Sequence, residues 1–183
     1  MQFAKDTFYI TLRDRLAALN PARTVLLDGQ TRPAVVVLEN EPVTIADPPL
    51  PVPAFAGAPG PRPRAPLPGA FFLHWGAPRA VNGAAAGPRP LLALECTVAF
   101  RTSGSTDAAG VDRGRAFAQL QSELLQICSP PQAPKRDYTG ASPAELGSNV
   151  AWTRLAFQPP QAAAGELSGA AVVTVFFFPE VDC

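Results

Sequence analysis

Ten of the chain's 22 prolines fall between residues 42 and 68, among them the run Pro48-Pro49-Leu50-Pro51-Val52-Pro53. Proline locks φ and removes a backbone donor, so such a stretch joins neither a helix interior nor a central strand. Residues 42–70 therefore read as a long extended or coil insertion. Residues 77–90 and 130–149, also rich in proline, glycine and polar residues, read as irregular loops. The core must come from the segments between them. With 183 residues, 47% of them apolar, those segments suffice for one domain spanning residues 1–183.

Two of these segments carry helical periodicity. Over residues 6–19, Phe8, Leu12, Leu16 and Leu19 recur on one face, Arg13, Asp14 and Arg15 lie opposite, Asp6 is placed to cap the start, and Asn20-Pro21 ends the helix. Over residues 112–128, Phe117, Leu120, Leu124, Ile127 and Cys128 form a second stripe, closed by Pro130-Pro131.

The rest reads as strand. Residues 23–27 and 34–39 flank an Asp28-Gly29 turn signal, and Val35, Val36 and Val37 predict burial on both faces of the second strand. Residues 71–76 read as a short strand or aromatic plug. Residues 91–102 alternate strictly, with Leu92, Leu94, Cys96, Val98 and Phe100 on one face. Residues 150–157 and 170–179 close the chain, joined by 158–169. The last strand is apolar at both parities, which predicts a central position or a cover from another subunit. This order predicts an α+β fold: a largely antiparallel or mixed sheet, two helices packed on one face, and long Pro/Gly-rich loop insertions.

Composition limits the function. Fifteen basic residues balance fifteen acidic ones, so no global field holds nucleic acid or an anionic membrane. No apolar run reaches the ~20 residues of a membrane span, and residues 1–6 carry no signal-peptide pattern, which predicts a soluble protein retained where it is made. Cys96, Cys128 and Cys183 are odd in number and widely spaced, unlike a disulfide framework, which fits a reducing compartment. His74 is the single histidine, too few for a metal site without other ligands.

The motif search finds no phosphate-binding loop, dinucleotide fingerprint or nucleophile elbow; Thr102-Ser103-Gly104-Ser105 resembles the last only superficially. Cys96 with His74 is the one conceivable thiol site, but Cys96 sits on the apolar parity of its strand, as a packing residue does. Cys128 completes a helix stripe. Glu39 and Glu41 read as a solvated strand end. Arg62, Arg64, Lys135 and Arg136 read as loop charges. No cofactor is implied, and the chain is read as a structural subunit and not an enzyme.

The element order resembles that of the tail terminator proteins of long-tailed phages. The stretches that carry the likeness are residues 11–16, Leu27-Asp28-Gly29, and residues 34–38, 94–100, 116–125 and 172–178. The likeness is one of element order and covers most of the chain outside the Pro/Gly-rich insertions.

The resemblance implies a virion tail or neck protein, assembled in the host cytoplasm. It would form a hexameric ring on the tail tube, end tube growth and join a neck or head-completion protein. In a contractile apparatus the sheath would be a further partner. Specific nucleic acid and membrane are not expected partners. Within this reading the candidate subunit-interface residues are Val173, Val175, Phe176, Phe177 and Phe178. Two other readings are a small cytoplasmic adaptor presenting the proline-rich loop and an enzyme using Cys96 or His74.

Overall fold

The computed structural model describes residues 1–27, 30–37, 69–81, 90–102, 111–163 and 166–179. The expected insertion at residues 42–68, Glu39, Glu41, Arg62, Arg64 and Cys183 lie outside the described residues.

Helix α1 spans Gln2–Leu19 and starts four residues before its expected beginning. Asp6 is therefore interior and accepts a hydrogen bond from Gln2 Nε2 at 2.7 Å instead of capping. Ala4, Thr7, Phe8, Leu12 and Leu16 are buried, while Leu19, at the helix end, is exposed. Helix α2 spans Val111–Ile127 and buries Phe117, Leu120, Leu124 and Ile127.

Strands β1 (Thr24–Leu27) and β2 (Gln30–Pro33) form a separate two-stranded hairpin in which Leu27 pairs with Gln30. That register leaves two residues for the connection, the spacing an Asp-Gly turn serves. The strand expected at 34–39 is thus preceded by one that the Thr31-Arg32-Pro33 stretch did not signal. Ala34 joins the two sheets, its N–H donating to Arg23 O and its carbonyl accepting from Phe71 N–H.

The main sheet contains β3 (Val35–Val37), β4 (Phe71–Ala80), β5 (Leu92–Arg101), β6 (Gln132–Asp137), β7 (Ala144–Trp152), β8 (Ala156–Phe157), β9 (Gln161–Ala163) and β10 (Glu166–Phe177). Its order is β3-β4-β5-β10-β7-β6, with β8 and β9 also pairing with β10. Among the described strands only β3 and β4 pair in parallel, so the sheet is mixed and the fold is α+β. All three valines of β3 are buried, as their run predicts.

Central β10 pairs with β5 from Ser168 opposite Arg101 to Phe177 opposite Leu92. Register assigns the faces. Trp75 lies opposite Cys96, Cys96 opposite Val173, and Val175 opposite both Leu94 and Trp152. Phe8 of α1 meets Trp75 and Trp152 edge-on, at ring distances of 5.6 and 5.1 Å. Phe117 of α2 lies 5.4 Å from Phe100, two positions beyond Val98 on the same face. Both helices therefore pack on one face, and each buried aromatic contributes about 1.5–3 kcal/mol through the surface it removes from water.

Three expected connections are strand in part: 77–90, 130–149 and 158–169, the last containing β9 and the start of β10, which begins at Glu166 and not at 170. β4 continues through Ala77–Ala80, where a bulge between Trp75 and Pro78 shifts the register. Residues 130–149, read as irregular, contain β6 and most of β7, paired as a hairpin. β6 is an edge strand, so Pro134 faces no neighbour that requires its missing N–H. At Gly169 the backbone passes under the aromatic layer: a Cβ there would sit 2.6 Å from Phe117 Cζ and 3.0 Å from Phe100 Cζ.

Candidate assembly surface

The five candidate interface residues divide by parity. Val173, Val175 and Phe177 point to the helix-covered face and are buried within the chain itself, at 0–1% exposure. Their apolar character is used in the chain's own core, which corrects their place in an intermolecular surface. Phe176 points to the opposite face and is half-buried, together with Val172 and Thr174. Phe178 follows the strand and is 44% exposed.

On that outer face Phe176 lies between Ala93 and Ala151, Thr174 opposite Glu95, and Val172 between Thr97 and Ala156. His74 lies beside Thr97. Small and polar side chains thus surround two large apolar ones. Toward β3 and β4 the same face is closed, with Val36 and Phe72 buried. Val172, which the interface set omitted, belongs to this surface by the same alternation that removes Val173.

The Cys96–His74 arrangement does not form. Cys96 is fully buried on the helix side, opposite Trp75, whereas His74 is opposite Thr97 on the outer side. The sheet separates the two groups. Cys128 is buried, and burial pushes its thiol up to about 12, with the nearby Arg15 cation acting in the opposite direction. A thiol held protonated to that extent is a poor nucleophile at neutral pH.

Lys135 and Arg136, expected as a loop pair, lie on β6. Lys135 is buried, and its ammonium donates to the Phe178 carbonyl at 2.7 Å near the Phe177 ring. Burial lowers its pKa. Arg136 donates to Glu145 at 2.9 Å. Spacing alone did not signal this tether between the edge strand and the end of the central strand.

A groove of about 520 Å³ runs between α1 and β6, bordered by Ile10, Asp14, Arg15, Pro134, Arg136 and Tyr138. Tyr138 is held above the ordinary phenol range chiefly by burial, against the pull of Arg136. Among the described residues, no three or more His, Cys, Asp or Glu side chains come together as metal ligands, and no helix is long and apolar enough to cross a membrane. No family model and no curated protein matches the chain.

Proposed function

We propose that this chain is a structural assembly subunit that binds copies of itself through the helix-free face of its sheet. In this reading the copies close into a ring at the end of a phage-type tail tube, stop its growth and meet the neck. The observation that carries it is the one-sided placement of the helices, which leaves Val172 and Phe176 half-buried beside exposed Phe178. The resemblance in element order supports the phage-tail context, and the six-fold number rests on that resemblance alone.

A head-to-tail contact that repeats by rotation closes, whereas one that also translates grows a filament. A subunit that ends a tube must do the former. The test is imaging of assembled particles carrying a labelled copy of this chain. Label confined to the head-proximal ends of tails supports the reading. Label along the whole tube, or absent from tails, overturns it.

A further inference from the structure

We draw no further inference here: the strongest candidate, the groove between α1 and β6, has its backbone carbonyls at Pro130 and Gln132 already taken by Arg15 and its Arg136 held by Glu145, and nothing in the structure shows what would occupy it.

Discussion

The guanidinium of Arg15 stands 5.6 Å from the centre of the Trp152 ring. From that position it donates to the carbonyls of Ile127 at 2.9 Å, Pro130 at 2.8 Å and Gln132 at 3.2 Å. Ile127 is the last residue of α2, and a helix leaves its final carbonyls without internal partners. A residue of the first helix thus completes the end of the second and fixes the path into β6. Trp152 closes the arrangement by donating its indole N–H to Cys128 O at 2.8 Å.

Replacing Arg15 with Leu retains apolar cover for Trp152 but removes every donor. Water reaches the Pro130 and Gln132 carbonyls, so the expected loss is about 2–3 kcal/mol, not the sum of three charged hydrogen bonds. For a chain of this size, that lowers the melting temperature by roughly 4–12 °C. An unchanged thermal transition would show that Arg15 is not a structural bracket.

A second bracket joins Arg23 to Glu123. Arg23 Nε lies 2.7 Å from one carboxylate oxygen, while Arg23 Nη2 at 3.0 Å and Asn20 Nδ2 at 2.9 Å donate to the other. Glu123 is only 6% exposed, so removing one partner strands a buried charge. Arg23→Leu and Glu123→Leu are each expected to cost about 3–5 kcal/mol, and the double variant to recover most of that loss. Additive losses in a denaturant double-mutant cycle would contradict this account.

Gly169→Ala is expected to destabilise by about 1–3 kcal/mol, because the new methyl overlaps the Phe117 ring. Shortening that ring with Phe117→Leu in the same chain should return part of the loss. Urea midpoints of Gly169→Ala, Phe117→Leu and the double variant decide the matter, and a neutral Gly169→Ala would mean that the aromatic layer yields freely.

Alkaline pH acts through groups of opposite sign. The folded Cys128 thiol keeps its proton to about 12, whereas the unfolded chain releases it near the ordinary 9.0. The stability this contributes is complete below pH 9 and is lost as pH rises toward 12. Lys135 has its folded pKa below the ordinary 10.5, so its buried charge costs most at lower pH and the cost eases as pH rises through the folded value. Cys128→Ala should remove the part of the alkaline loss that begins near pH 9. It should leave the later loss from Tyr138, whose raised pKa acts in the same direction, and the opposing Lys135 gain. Denaturant midpoints on either side of pH 9 measure these effects, and identical profiles for parent and variant would contradict the Cys128 assignment.

Neighbouring substitutions on β10 separate core from surface. Val173→Asp places a carboxylate in the helix-covered core, which costs several kcal/mol against a total stability of ~5–15 kcal/mol and should abolish soluble protein. Phe176→Asp should cost about 1 kcal/mol in the isolated chain, since only part of that ring is covered. It should also prevent self-association and placement on tails, as read by solution mass and particle imaging. A well-folded Phe176→Asp protein that still assembles would remove the outer face from the interface.

Local periodicity made both helices, alternating β5 and apolar β10 legible from residues alone, because 3.6- and 2-residue repeats reflect nearest-neighbour geometry. It also indicated burial on both faces of Val35–Val37. It could not assign β6: Pro134 and the adjacent charges resemble a loop until the tertiary order places the strand at an edge, where no neighbour needs the missing N–H. Nor could it separate Val173, Val175 and Phe177 from Phe176, since a strand apolar at both parities contains no information about which side the helices cover. Packing decided that, through Phe8 against Trp75 and Trp152 and Phe117 against Phe100. The tethers from Arg15, Arg23 and Lys135 were likewise invisible, because each joins residues 43 to 117 positions apart that only the closed fold brings within hydrogen-bond distance.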